Sequence, residues 1–345
     1  MSGAIPLTVL TGFLGAGKTT LLNALLRQPA LANTAVLINE FGEIGLDHLL
    51  VERLDGDTVL LNAGCLCCTI RGDLLKALDG LWDRVLAGQP VSRVVVETTG
   101  LADPAPILHT LMADPRLSLR FVLDGVVTLV DAVNGATTLD TQPEAQRQAA
   151  VADRLVLTKT DLAAADAVAT LTARLRGLNP VAPILTAIAG EIPAAALLQA
   201  GPFDTAAKAP EIAAWIGAAA PHHGHHHHHD ANRHDSHIRA LCLAFDRPLP
   251  WSGLASWLEM LALTRGASVL RMKGILDLVG EPRPVVVHGV QHLFHAPLRL
   301  HAWPEDTPRR SRLVFILRDL EPRVVEEGLR AFVAAAEAEA AIGTA

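Results

Sequence analysis

No uninterrupted apolar run in this sequence reaches the roughly eighteen residues that a bilayer span requires, so no membrane helix is expected. Basic residues do not predominate either. Against 36 Asp and Glu stand 29 Lys and Arg, and the formal net charge of −7 argues against a general nucleic-acid binder. Cysteine is scarce, and three of the four crowd together as Cys65, Cys67 and Cys68. That crowding points away from a disulfide scaffold and toward metal chemistry in a reducing, cytoplasmic setting. There is no second C-x-x-C and no internal repeat. The apolar N-terminal stretch feeds straight into a glycine loop and reads as a strand rather than a signal peptide. With 345 residues, half of them apolar, the chain is long enough for two domains, each with its own core.

The element around which the rest is organised is Gly12-Phe13-Leu14-Gly15-Ala16-Gly17-Lys18-Thr19, which meets the phosphate-binding pattern G-x-x-x-x-G-K-[ST] at every fixed position. An apolar strand over residues 5–10 precedes it. A helix over residues 18–28 follows, with Leu21, Leu22, Leu25 and Leu26 as its buried stripe. Gly12, Gly15, Ala16 and Gly17 would let backbone N–H groups curl round a polyphosphate at a helix N-terminus. Lys18 would reach the β- and γ-phosphates and the Thr19 hydroxyl would ligate Mg²⁺, with Thr20 next to it. The pattern predicts binding of a nucleoside triphosphate.

Further apolar stretches at residues 34–39, 58–62, 93–96, 126–130, 154–157 and 183–187 read as strands, with helical patterns such as 74–86 and 163–176 between them. Strands that lack alternation and alternate with helices predict a doubly wound, mostly parallel α/β sheet, with ligands beyond its carboxyl ends. Most of the chemically loaded stretches fall at those ends. Glu97-Thr98-Thr99-Gly100 has the placement of a D-x-x-G element, with Glu97 holding Mg²⁺ and the Gly100 N–H reaching the γ-phosphate. Asp131, also ending a strand, competes with Glu97 for the acidic role. Thr158-Lys159-Thr160-Asp161 resembles the base-reading N-K-x-D element. The Asp161 carboxylate would accept from guanine, the Lys159 stem would cover the base, and Thr158 replaces Asn.

Cys65-Leu66-Cys67-Cys68 sets the chain apart from a generic GTP-binding protein. Thiolates suit Zn²⁺ and, less selectively, Co²⁺. Three thiols without an evident fourth ligand suit a site that takes up and releases metal. Cys65 and Cys67 point the same way in an extended chain, whereas a turn gathers all three. Residues 217–237 then break the α/β pattern and hold nine of the fifteen histidines. This reads as a flexible linker, either a metal collector or an inert spacer. The expected organisation is therefore a nucleotide-binding domain over 1–216, the His-rich linker over 217–237 and a smaller α+β domain over 238–345. Strands are expected at 238–245, 284–288 and 312–317, and helices at 254–263 and 322–335.

These motifs, together with Asn39-Glu40-Phe41-Gly42, Leu101-Ala102-Asp103-Pro104 and Gly289-Val290-Gln291-His292-Leu293, resemble the CobW-like metal-chaperone GTPases over nearly the whole chain. The resemblance implies a SIMIBI-class GTPase domain and GTP-dependent delivery of a transition metal, zinc first and cobalt second, to a client metalloprotein. It carries the metal thiolates onto Cys65, Cys67 and Cys68, and places Glu40 and Glu43 beside the metal or Mg²⁺. Leu101 after Gly100 leaves no Ras-like glutamine there, so a low basal GTPase rate is expected. Two other readings are an NTP-dependent accessory enzyme of cobalamin-type cofactor biosynthesis and a passive metal buffer. Nothing in the sequence fixes an oligomeric state, and neither nucleic acid nor membrane is an expected partner.

Overall fold

The structure is a computed structural model that describes residues 4–38, 59–62, 66–198, 237–303 and 308–343. It divides into two compact units, one carrying a seven-stranded sheet and the other a six-stranded one. Among the described residues no helix is long and apolar enough to cross a membrane.

The first sheet contains β1 (Ile5–Gly12), β2 (Thr34–Ile38), β3 (Val59–Asn62), β4 (Arg93–Glu97), β5 (Phe121–Asp131), β6 (Arg154–Thr158) and β7 (Ile184–Ala187). Their order is β3-β2-β4-β1-β5-β6-β7, and every pair is parallel. β2 and β6 are buried at all positions, as strands covered on both faces must be. Helix α1 (Lys18–Leu26) lays Leu21, Leu22, Leu25 and Leu26 against Leu10, Val36, Val95, Val127 and Val156 of the sheet. Burying each such leucine contributes about 1.5–3 kcal/mol, which fixes α1 and the loop before it.

Two boundaries in this part differ from the sequence expectation by more than two residues, for physical reasons. β5 starts at Phe121 rather than near residue 126, because Asp124 is held inside by Thr8 and Arg93 and the register with β1 shifts there. Helix α2 (Leu66–Leu86) starts eight residues earlier than the apolar stripe from residue 74 suggested, so the backbone of Cys67 and Cys68 is helical. The extended alternative, which concerned Cys65 and Cys67, does not hold at Cys67, and Cys65 lies outside the described residues. α3 (Ala105–Ala113), α4 (Pro115–Arg120), α5 (Gly135–Thr141), α6 (Pro143–Val151), α7 (Ala165–Leu178) and α8 (Ala194–Leu197) are the other α-helices among the described residues of this part.

The second sheet is antiparallel. It runs β11-β10-β9-β13-β8, with β12 pairing to β10, over β8 (Ile238–Phe245), β9 (Val269–Leu278), β10 (Glu281–Val290), β11 (Leu293–Phe294), β12 (Leu298–Arg299) and β13 (Ser311–Arg318). Helices α9 (Trp251–Arg265) and α10 (Pro322–Gly343) cover one face. Trp257, Leu261, Met272, Leu313, Phe315 and Leu329 form the core there. Gly253 and Gly328 let the helices close up, since a side chain at either would strike Phe332 or Trp257.

Candidate functional site

The site is built at the carboxyl ends of the strands, where β2, β3 and β4 stop level with one another while β1 runs two residues further and β5 four. Leu10 of β1 is in register with Glu97 of β4, Ile38 of β2 with both Glu97 and Asn62 of β3, and Asp131 of β5 with Thr158 of β6. Every stretch that follows these residues therefore leaves the sheet at one edge.

At Gly12 the phosphate loop takes a backbone that only glycine adopts comfortably. Its φ is +143°, and a Cβ there would stand 2.5 Å from the Leu129 carbonyl oxygen of β5. Gly17, at φ +88°, is the N-cap of α1, and no side chain caps that helix. The first turn carries the positive end of the helix dipole toward the loop. Gly15 also has positive φ, and Ala16 is buried, its N–H turning onto Phe13 O at 3.1 Å. Lys18 arches back over the loop, donating from Nζ to Gly12 O at 3.0 Å and Phe13 O at 3.3 Å. Thr20 is exposed, and its carbonyl oxygen lies under Gly190 in the loop after β7.

The Thr19 hydroxyl of α1 donates to Oε1 of Glu97, the last residue of β4, at 3.0 Å, and Glu97 is only 3% exposed. A hydroxyl and a carboxylate in contact are the hard oxygen donors that a Mg²⁺ site uses. After Glu97, Thr98 Oγ1 donates to Thr11 Oγ1 at 2.7 Å and the Ala102 N–H closes a turn onto Thr99 O at 3.1 Å. Gly100, in this turn, is pressed against the phosphate loop. A Cβ on it would lie 2.6 Å from the Leu14 nitrogen.

Thr158 is buried at the end of β6 and donates from Oγ1 to Ala16 O at 2.9 Å. Its hydroxyl thereby ties the candidate base loop to the phosphate loop. Lys159 has φ +57° and pairs through Nζ with Asp131 Oδ2 at 2.7 Å. Burial pushes the Asp131 carboxyl upward, but Lys159, Asn134 Nδ2 and the Val133 N–H outweigh it and hold its pKa below the ordinary value. The two competing acids thus have separate engagements: Asp131 with Lys159, and Glu97 with Thr19. Asp161 is exposed.

A family model for the nucleotide-binding domain of CobW/HypB/UreG proteins matches residues 6–186, and one for the C-terminal domain of the cobalamin synthesis protein CobW matches residues 238–333. The chain belongs to the CobW/HypB/UreG family of P-loop GTPases. It is 35% identical over 330 residues to the zinc chaperone YjiA of Escherichia coli, covering 94% of this chain and 99% of that one. It is 37% identical over 182 residues to the zinc-regulated GTPase metalloprotein activator 1 of Schizosaccharomyces pombe, covering 51% of this chain and 44% of the relative. The crystal structure of Zn(II)-bound YjiA GTPase from E. coli superposes with a TM-score of 0.73 at 31% identity, over 96% of this chain and 99% of that one.

In this family member, Glu40, Glu43 and Cys65 lie outside the described residues, and Cys67 and Cys68 sit on the first turn of α2. The strands that lead to them are placed, however. β3 ends at Asn62, two strands from Glu97, and β2 between them ends at Ile38. Adjacent strands lie about 4.8 Å apart, so the backbone feeding the cysteines leaves the sheet roughly 10 Å from that of Glu97. The His-rich residues 222–229 also fall outside the described residues.

Sequence reasoning missed two contributors. Gln148 on α6, 0% exposed, donates from Nε2 to Gly100 O at 3.1 Å and Ala102 O at 3.0 Å. It belongs to no motif, and its only sequence signal is a large polar residue next to the apolar run Ala149-Ala150-Val151 on a helix. The loop after β7 abuts the end of α1, and Gln28, two residues past that helix, exchanges hydrogen bonds of 2.8 Å with Ile192 O and the Ala194 N–H.

Proposed function

We propose that this GTPase is a metallochaperone that binds zinc, with cobalt the second choice, at Cys65, Cys67 and Cys68 and transfers it to a client metalloprotein under the control of its nucleotide. The observation that carries this reading is the shared register of Asn62, Ile38, Glu97 and Leu10. It supports the reading because the strands that lead toward the cysteines, toward residues 39–47 and toward the phosphate loop end on one side of one sheet. The likeness to a zinc chaperone over nearly the full length of both chains supports the choice of metal.

In this account Gly12, Gly15, Ala16, Gly17 and Thr20 cradle the phosphates of GTP, and Lys18 leaves its two loop carbonyls to neutralise the β- and γ-oxygens. Thr19 and Glu97 hold Mg²⁺, whose chemistry is to shield phosphate charge. Thr158, Lys159 and Asp161 form the guanine loop, with Asp161 accepting from the base. The Gly100 N–H meets the γ-phosphate. Residues 1–216 make up the GTPase domain, 217–237 the linker and 238–345 the C-terminal domain. With GTP bound, residues 39–47 order beside the thiolates, and Glu40 and Glu43 supply oxygen donors there. Hydrolysis releases that order and lowers metal affinity. Linkage requires metal to raise GTP affinity by the same factor.

Two variants of the full chain test the assignment. Cys67→Ala is expected to lose tight zinc binding while GTP binding stays intact. Loss of both would make the cysteines structural. Deleting residues 221–237 is expected to leave the tight zinc site in place, whereas loss of most bound metal would make the protein a histidine-based buffer.

A further inference from the structure

Gln148 holds the loop after Glu97 from below. Both amide hydrogens are spent on that loop, at Gly100 O and Ala102 O, while Oε1 is buried without a hydrogen-bond partner. The turn of α6 that carries it is anchored, because Thr128 Oγ1 of β5 donates to the Gln148 carbonyl at 2.8 Å. The neighbouring Arg147 lies 3.7 Å from Asp103 Oδ2, so the same turn also reaches the far end of the loop. A cavity of about 30 Å³, room for about one water, is lined by Gln148, Leu14, Thr128 and Asp131 among others.

An orphaned amide oxygen in the interior is unfavourable, and an apolar side chain of the same length would fill the space without one. The donors are therefore what the position needs. In a trans peptide the C=O and N–H point opposite ways. Holding the Gly100 and Ala102 carbonyls toward α6 turns the Leu101 and Asp103 N–H groups away from it. Gly100 itself abuts Leu14 of the phosphate loop.

We propose that Gln148 is a positioning residue of the nucleotide switch: by fixing the two peptide planes that follow Gly100 and Ala102, it sets where this loop meets the γ-phosphate without touching nucleotide itself. This rests on the reading of Gly100 as the γ-phosphate contact.

The test compares the full-length wild type, Gln148→Met and Gln148→Glu for binding of GDP, binding of a non-hydrolysable GTP analogue and single-turnover hydrolysis. Met removes both donors and the orphan acceptor at nearly constant volume. For two lost hydrogen bonds, analogue affinity and hydrolysis rate should each fall about tenfold, with GDP affinity within about twofold of wild type. In Gln148→Glu, burial favours the protonated carboxyl, which restores one O–H donor. Its rate relative to wild type should rise as pH falls and be lost as pH rises, and this profile decides the matter if the Met variant does not fold. Equal losses for GDP and analogue, or no pH-dependent recovery, would overturn the inference by showing a merely structural role. A wild type that hydrolyses GTP beside an unchanged Gln148→Met overturns the inference alone, whereas a wild type that binds no GTP overturns the parent reading with it.

Discussion

Replacing Gly100 with alanine puts a methyl group where the switch loop meets the phosphate loop. No left-handed backbone is involved, so the effect is one of space. The new Cβ would lie 2.6 Å from the Leu14 nitrogen and the same distance from Leu14 Cδ2. Ordinary contact begins at 3.4 Å, so the two loops must part by about 0.8 Å. The Leu14 side chain is flexible and 59% exposed, but its nitrogen belongs to the phosphate loop and cannot move alone. Overpacking of this kind costs about 1–3 kcal/mol, a fall of roughly 2–10 °C in the melting temperature of a unit this size. The catalytic consequence is larger. A displacement approaching 1 Å between groups that must meet in the transition state lowers kcat by about 10- to 100-fold. GDP, which makes no contact with Gly100 in this account, should bind within about threefold of wild type. Phosphate release in steady state, fluorescent-GDP titration and a thermal melt on the same preparation measure all three quantities. A Gly100→Ala protein that hydrolyses GTP at the wild-type rate would refute the placement of Gly100 against the reacting phosphate.

Thr158→Val removes the hydroxyl that reaches Ala16 O and strands that buried carbonyl, so GDP affinity by calorimetry should fall about five- to tenfold while Thr158→Ser keeps it. Wild-type affinity in Thr158→Val would mean the two loops are not coupled. The Asp131 carboxyl is held below its ordinary value of 3.8 in the folded state, so its contribution to stability is present above that value and is lost as pH falls through the lower folded one. In urea melts from about pH 5 to about pH 3, Asp131→Asn should therefore lose less stability than wild type. Parallel acid profiles would show that the pair with Lys159 contributes nothing.

Most of the first unit was legible because its signals are local. The phosphate loop announces itself by glycine and lysine spacing, and the buried strands by unbroken apolar runs. Strand β9 was not foreseen. Its sequence, Val269-Leu270-Arg271-Met272-Lys273-Gly274-Ile275, mixes cations and a glycine into a strand, and Gly274 is there because Leu313 and Val287 of the flanking strands crowd it from both sides. That requirement is set by partners distant in sequence. The early start of α2 was hidden for a related reason: Thr69 and Gly72 weaken helix propensity just where the apolar stripe has not yet begun. At the site, Lys18, Thr19, Glu97 and Gly100 were readable from motif spacing. The Asp131–Lys159 pair and the grip of Gln148 were not, because both depend on which helix and strand ends the fold brings together. Thr158, standing where the base-reading element has Asn, makes through its hydroxyl a link to Ala16 O that an apolar residue could not.

Zinc affinity measured by competition with a chromophoric chelator, in the presence of GDP and then of a non-hydrolysable GTP analogue with Mg²⁺, tests the central claim most directly. The account predicts zinc binding at least about tenfold tighter with the analogue, and analogue binding tightened by the same factor when zinc is present. Equal zinc affinity in the two nucleotide states would contradict it.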